Sequence, residues 1–157
     1  MEIEQAKDIA LRYLSVRARS TWEVRQHLIQ RGVDEATVDE VVERLTRVAL
    51  LDDDQFARAW VRSRRQVKSL SGAMLRRELV EKGIATEVIE EVVGDLGDSE
   101  TGLALEFARR RAGTMAGLDR TTIMRRLGAQ VARRGFPAGI VQSVVMQVVA
   151  EIGSIEQ

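Results

Sequence analysis

Arginine is the residue type in this chain best placed to do chemistry, and it comes in groups. Arg58, Arg62 and Arg65 fall at i, i+4 and i+7, the spacing of one helix face. Arg64 and Lys68 add a neighbouring strip, and Arg76 and Arg77 follow. The later part of the chain contributes Arg109, Arg110 and Arg111, then Arg125 and Arg126. A guanidinium is a planar fork of N–H donors that can bond two oxygens of a phosphate or carboxylate at once. The chemistry on offer is therefore the capture of anions. For any single arginine, a solvated face matched to acidic helices is an equal alternative. As a set, these residues are read as contacts to a partner or to DNA.

Reaction chemistry has less to build on. His27 is the sole histidine, which excludes a histidine metal cluster or a histidine pair within one chain; it is read as a partly buried or surface side chain. With no cysteine there is no disulfide and no thiolate zinc site, which fits a reducing compartment. Asp52, Asp53 and Asp54 could offer hard oxygen ligands to magnesium, but helix capping explains them more simply. Residues 113–117 hold two glycines but lack the lysine of a phosphate-binding loop. Trp22 and Trp60 could stack on bases. Trp60 falls on an apolar face and is read as core, whereas Trp22, in the first turn of its helix, stays open. No catalytic residue, metal or cofactor is expected.

The elements that must position the arginines repeat. Leu28 to Val33, Leu79 to Ile84 and Val131 to Phe136 share one pattern: an apolar residue, three residues on a cation, then glycine, then an apolar residue. The glycines are Gly32, Gly83 and Gly135, spaced by 51 and 52 residues. A fixed period of this kind signals stacked helical repeats, whose extended surfaces bind rather than catalyse. After each glycine, apolar residues recur at +1, +6, +9, +10 and +13, as in Val33, Val38, Val41, Val42 and Leu45. That is one helical stripe used three times. Before each glycine, Val24 and Leu28, Leu75 and Leu79, and Leu127 and Val131 mark a second helix. Ser20 and Glu23 have capping-box form, and Ser71 holds the place of Ser20 in the next copy. The glycine is then the helix stop, and Arg31, Lys82 and Arg134 before it suit the negative end of the helix dipole. First helices are expected at residues 2–18, 53–69 and 99–114, the last two capped by the 52–54 aspartates and by Asp98 or Ser99. Phe56, Ala59, Trp60 and Val67 are the expected buried residues of the middle one, and Leu103, Leu105, Phe107 and Ala108 of the third. The eighth helix, residues 120–134, reads one turn longer than its equivalents. Residues 113–117 read as the loosest connection.

The fold class expected is all-α, with nine helices in three tandem three-helix repeats forming an elongated, curved array. The repeats span 1–50, 51–97 and 98–157, the third being the most divergent. Of 157 residues, 24 are cations and 24 anions, but they are segregated. Residues 34–54 carry eight anions and two cations, and 55–82 carry eight cations and two anions. Residues 84–106 carry seven anions alone, and 107–134 carry eight cations and one anion. A neutral protein can still bind an anionic partner through such local fields. Neither a signal peptide nor a membrane span is read at the N-terminus, so a cytoplasmic location is expected.

The middle repeat resembles a known family. Leu51-Asp52-Asp53-Asp54-Gln55-Phe56-Ala57 looks like that family's acidic turn followed by Phe-Ala. Gly72-Ala73-Met74-Leu75-Arg76-Arg77-Glu78-Leu79 and Lys82-Gly83-Ile84 follow at the expected distance, and the first repeat adds Arg19-Ser20, Leu28 and Gly32. Together these resemble the bacterial RecX family, regulators of the RecA recombinase. The likeness is fullest over residues 6–96. Beyond 97 it rests on the helix pattern, Phe107-Ala108 and Gly135-Phe136. It implies a non-enzymatic protein that binds the groove of the RecA filament on single-stranded DNA. It further implies modulation, mostly inhibition, of ATP hydrolysis, strand exchange and co-protease activity, within DNA repair, recombination and the SOS response. Direct contacts to DNA phosphates and a monomeric state are expected with it. A stand-alone helical nucleic-acid-binding module and a helical-repeat adaptor remain the alternatives.

Overall fold

The computed structural model describes residues 1–96 and 99–155. Among these residues there are nine α-helices and no strand: α1 (Ile3–Val16), α2 (Thr21–Gln30), α3 (Glu35–Arg47), α4 (Asp53–Lys68), α5 (Gly72–Glu81), α6 (Thr86–Gly94), α7 (Glu100–Ala112), α8 (Arg120–Arg133) and α9 (Ala138–Ile155). They form three tandem three-helix repeats, as the period requires. A 3-10 turn, Gly113–Met115, follows α7. The 113–117 segment expected to be loose is instead pinned, because Met115 is buried in the core of the third repeat.

The starts and stops have local causes. Ser20 and Glu23 close the predicted capping box, with the Glu23 N–H donating to Ser20 Oγ at 3.2 Å and the Ser20 N–H to Glu23 Oε1 at 3.0 Å. Asp34, Asp52, Ser71, Ser99 and Asp119 accept in the same way from the N–H three residues on. Ser99 is thus the cap of α7, and Asp98 lies outside the described residues. The stop glycines adopt φ of 83°, 73° and 91° at Gly32, Gly83 and Gly135, where a side chain would be strained. The Val33 and Ile84 N–H groups return to the Leu28 and Leu79 carbonyls at 3.1 Å, which satisfies the helix ends.

The second-helix stripes are buried as the spacing predicts, and so are the third-helix stripes except for half-buried Val42, Leu96 and Val141. Val24, Leu28, Leu75, Leu79, Leu127 and Val131 all have 0% exposure. The first helices bury a face that overlaps the expected one only at Phe56, Phe107 and Ala108. Phe56, Ala57 and Val61 are buried in α4, whereas Ala59 is exposed, Trp60 half-buried and Val67 exposed. In α7, Ala104, Phe107, Ala108 and Ala112 are buried, with Leu103 and Leu105 partly so. The stripe is one of small residues: Ala6 and Ala10, Ala57 and Val61, Ala104 and Ala108. Small side chains let the first helix lie close to its neighbours, so the packing selects volume and not hydrophobicity alone. The predicted extra turn of the eighth helix is present: α8 has 14 residues, against 10 each in α2 and α5.

The chain packs as two compact units, residues 1–61 with 78–92, and residues 62–77 with 93–157, so α4 and α5 are each divided between them. Inside the first unit, the start of α2 meets the next repeat. Ser20 Oγ donates to the Lys82 carbonyl at 2.7 Å, and the Thr21 N–H to Asp53 Oδ1 at 2.8 Å. The second unit repeats the arrangement one repeat later. The Ser71 N–H donates to the Arg134 carbonyl at 2.9 Å, and the Gly72 N–H to both oxygens of Glu100 at 3.2 Å. Thr21 and Gly72 open their helices, and Asp53 and Glu100 open theirs. In each joint, an N–H that no helix can satisfy internally is met by a carboxylate at the start of the following repeat.

Candidate anion-binding interface

The three aspartates before α4 separate into different tasks. Asp52 caps the helix, Asp53 reaches Thr21 in the joint, and Asp54 Oδ1 accepts from Arg58 Nε at 2.8 Å. Among the described residues no group of three or more histidines, cysteines or carboxylates could hold a metal ion. Trp60 is occupied too. Its Nε1 donates to Glu78 at 3.1 Å, and Lys82 Nζ lies 4.9 Å above its ring. Trp22 is 45% exposed, and its Cβ side lies against Gly83, where an added methyl would collide with it.

The structure sorts the arginines of α4 and α5. Arg58 is half-buried and bonded to Asp54, with Glu91 at 3.5 Å. The Arg65 side chain is only 9% exposed and is ion-paired to Glu100, which also holds the Gly72 N–H. Arg65 is therefore spent on the joint. Arg64 is half-buried, and Arg76 is exposed beside Gly72, Val93 and Glu100. Arg62, Lys68 and Arg77 are exposed, with no ion pair among the described residues. The i, i+4, i+7 face is thus not uniformly open: its exposed member is Arg62.

In the third repeat, Arg109 is held by Glu151 through two bonds of 3.1 and 2.7 Å, which raises its already high pKa. Arg125 and Arg126 are exposed, with no ion pair among the described residues. Arg110 and Arg111 sit differently, beside a cavity of about 330 Å³ shared with Lys68 and Arg134. Arg110 Nη2 donates to Ser69 Oγ at 2.9 Å, and its carboxylate neighbour, Glu106, stands off at 3.9 Å. Arg134 and Arg111 lie over Phe107 at 5.0 and 5.8 Å. Burial, then the charges of Arg111, Arg133 and Arg64, push the Arg134 pKa down, a sign of cations crowded without enough anions.

A second notch of the same construction lies in the first unit, about 360 Å³ in volume, with Arg12, Tyr13, Arg19, His27 and Arg31 around it. The Arg19 guanidinium lies 3.9 Å above the Tyr13 ring, which stacks on His27 at 3.9 Å. Burial, then Arg31 and Arg19, push the His27 pKa below its ordinary value. Arg12, Arg19, Arg31 and Arg134 were not among the candidate binding residues read from the sequence, where Arg31 and Arg134 stood as helix-dipole cations. The signal was present in the cation before every stop glycine, but a helix dipole accounts for such a cation equally well. Glu23 is a further group that sequence read only as a cap. It is 8% exposed and meets Arg17 at 2.8 Å and Lys82 at 3.4 Å.

Comparison with known proteins bears on the whole chain. A family model described as the first three-helix domain of RecX matches residues 6–45, and one for the second three-helix domain matches residues 52–93. Regulatory protein RecX of Amycolatopsis mediterranei is 37% identical over 152 residues, covering 96% of this chain and 87% of that protein. Its counterpart in Streptomyces coelicolor is 35% identical over 152 residues, covering 96% and 81%. A crystal structure of RecX from Lactobacillus salivarius superposes with a TM-score of 0.77 at 20% identity, over 93% of this chain and 96% of that one. The last comparison speaks to the fold. The sequence comparisons span all three repeats, and on them the chain belongs to the RecX family.

Proposed function

We propose that this protein is a non-enzymatic regulator that binds the groove of the RecA filament on single-stranded DNA and mostly inhibits its ATP hydrolysis, strand exchange and co-protease activity. Family membership over nearly the whole chain is the observation that carries the reading. Three repeats, 1–50, 51–97 and 98–157, would supply successive contact modules. Several weak contacts on one chain raise avidity by ~10²–10⁴ where geometry permits. Arg62, Lys68, Arg76, Arg77, Arg109, Arg110, Arg111, Arg125 and Arg126 are the exposed members of the candidate set for DNA phosphates and acidic protein surfaces. Arg58, Arg64 and Arg65 are its partly buried members, and Arg109 and Arg110 already donate to Glu151 and Ser69. The protein would act as a monomer in the cytoplasm.

The test is single-stranded-DNA-dependent ATP hydrolysis by the cognate recombinase with this protein titrated in. Inhibition at or below one protein per recombinase protomer is expected. Reversal of two exposed cations, Arg62→Glu with Arg77→Glu, is expected to weaken inhibition by about tenfold, the scale of two lost charge-assisted contacts. Unchanged hydrolysis and unchanged filament assembly with the wild-type protein would overturn the reading.

A further inference from the structure

The two notches share a plan. In the first unit, Ile9, Arg12, Tyr13 and Val16 of α1 line one, with Arg31 from the end of α2. In the second unit, Phe107, Arg110, Arg111 and Thr114 line the other, with Arg134 from the end of α8. Each set lies at i, i+3, i+4 and i+7 along and just past its first helix, and each final cation directly precedes a stop glycine. A three-helix repeat therefore places the same two pieces of backbone around the same hollow, and the sequence has put cations there twice.

Neither hollow is neutralised from within. No carboxylate among the described residues lines either one. Among the described residues, Arg12, Arg19, Arg31, Lys68, Arg111 and Arg134 have no ion pair, and Arg110 has only the 3.9 Å approach of Glu106. Arg134 Nε is buried and has no hydrogen-bond partner among the described residues. Like charges brought together and partly desolvated destabilise a fold unless an anion joins them. The pKa values of His27 and Arg134 are depressed first by burial and then by the neighbouring arginines.

We propose that these two notches are phosphate-binding sites that hold backbone phosphates of single-stranded nucleic acid, through Arg12, Arg19 and Arg31 in one and Lys68, Arg110, Arg111 and Arg134 in the other. The volumes fall at the low end of small-ligand pockets, ~300–1,000 Å³. That suits a phosphate with part of its nucleotide. The Ser69 hydroxyl, whose oxygen accepts from Arg110, has a proton to donate beside the second group of cations, whereas the Thr114 hydroxyl already donates to the Arg111 carbonyl. A nucleotide fits better than an acidic peptide because of the Arg19–Tyr13–His27 column. One end of the column is a flat guanidinium, a surface of the kind on which an unpaired base stacks. Each notch also has one well-exposed valine at its rim, Val16 at 77% and Val67 at 72%, as apolar contact for a base or sugar. The inference goes beyond the recombinase reading and does not need it, since the sites would act on naked strands.

The experiment is anisotropy of labelled oligothymidylate titrated with the full chain alone, at about 50 and about 200 mM salt. The variants are Arg12→Ala/Arg31→Ala in one notch, Lys68→Ala/Arg111→Ala in the other, and Arg47→Ala/Arg120→Ala as an exposed pair outside both and outside the candidate set. Circular dichroism checks the fold, and Arg12→Lys/Arg31→Lys, which keeps charge but not the fork, stands in should the alanine pair unfold. Each notch pair is expected to weaken binding by about tenfold at the lower salt. Each should also lower the salt slope by about 1.4, at ~0.7 per single-strand phosphate contact. The outside pair should change affinity less than threefold. Equal losses from all three pairs would mean diffuse charge and overturn the proposal. So would a polyglutamate that competes as well as oligothymidylate, because the sites would then suit an acidic protein. As no recombinase is present, failure here leaves the regulator reading to its own hydrolysis test.

Discussion

The two joints between repeats share one register and differ in chemistry. In the first unit, Ser20 uses its hydroxyl to reach the carbonyl before Gly83, and the neighbouring Glu23 is a nearly buried carboxylate held by Arg17 and Lys82. In the second unit, Ser71 uses its backbone N–H to reach the carbonyl before Gly135, and the residue in the place of Glu23 is Met74. Both joints press the start of one helix against a stop glycine. Trp22 crowds Gly83, while Ser71 and Met74 crowd Gly135. Gly32, in the first of the three repeats, has nothing within 4 Å of an added Cβ among the described residues. The stacking rule is therefore a backbone rule, and the side chains around it are free to be ionic or apolar.

That comparison predicts its own largest effect. Alanine at Gly32 meets only the left-handed φ, which costs roughly 1–2 kcal/mol. Alanine at Gly83 meets the same φ and the Trp22 side chain, and overpacking adds roughly 1–3 kcal/mol. Gly83→Ala is thus expected to lose about 3 kcal/mol, Gly135→Ala a similar amount, and Gly32→Ala about 1 kcal/mol. Urea denaturation of the three variants measures this. Equal losses at all three would mean that the glycines serve as helix stops only, and that the joints are not close-packed.

The next effect separates the joints by charge. Burial by itself would raise the Glu23 pKa. Hydrogen bonds from Arg17 and from the Ser20 N–H, with the charges of Lys82 and Arg17, outweigh burial and hold it below the ordinary 4.5. A carboxylate depressed in this way stabilises the fold fully above its unfolded value, and that stability is lost as pH falls through the folded value. Glu23→Gln is expected to cost about 2 kcal/mol at pH 7, as for a hydrogen-bonded charge removed from a largely buried place. As pH falls below 4.5 through the lower folded value, the gap between variant and wild type should narrow. Met74→Leu, at the matching place in the other joint, should cost under about 1 kcal/mol, with no such pH dependence. Denaturation curves at pH 7 and pH 3.5 decide it. A gap that persisted in acid would show that Glu23 acts by shape and not by charge.

Much of this was legible because each repeat carries its own punctuation. The stop glycines, the serine caps and the +1, +6, +9, +10, +13 stripe are local patterns, and the residues they picked in the second and third helices are buried or, at Val42, Leu96 and Val141, half-buried. The first helices were harder. Their buried face is largely alanine, which carries little hydrophobic signal, so larger neighbours such as Val67 and Leu105 were favoured. The joints were not legible, since Ser20 and Lys82 are 62 residues apart and the hydrogen bond belongs to the stacking. For the same reason Arg65 looked like a surface cation until Glu100 was found beside it. The notches escaped because their cations come from segments separated in sequence, and each has an adequate local explanation on its own.

The smallest effect reads the charge of one notch directly. His27 is the sole histidine, so its ring protons report one titration without ambiguity. Its pKa lies below 6.5, first through burial and then through Arg31 and Arg19. A base whose folded pKa is depressed favours folding fully above its unfolded value, and loses that contribution as pH falls below about 6.5 through the folded value. The stability change should be slight, because the ring is only partly withdrawn from water, so NMR of the ring protons is the better measurement. Arg31→Ala removes one of the repelling charges and should move the midpoint up toward 6.5, whereas Arg111→Ala, in the notch without a histidine, should leave it in place. Oligothymidylate bound at the Arg12 and Arg31 notch should also raise the midpoint, since an anion there stabilises the imidazolium. A midpoint that moves with Arg31→Ala but not with the oligonucleotide would keep the electrostatics of the notch and remove the phosphate from it.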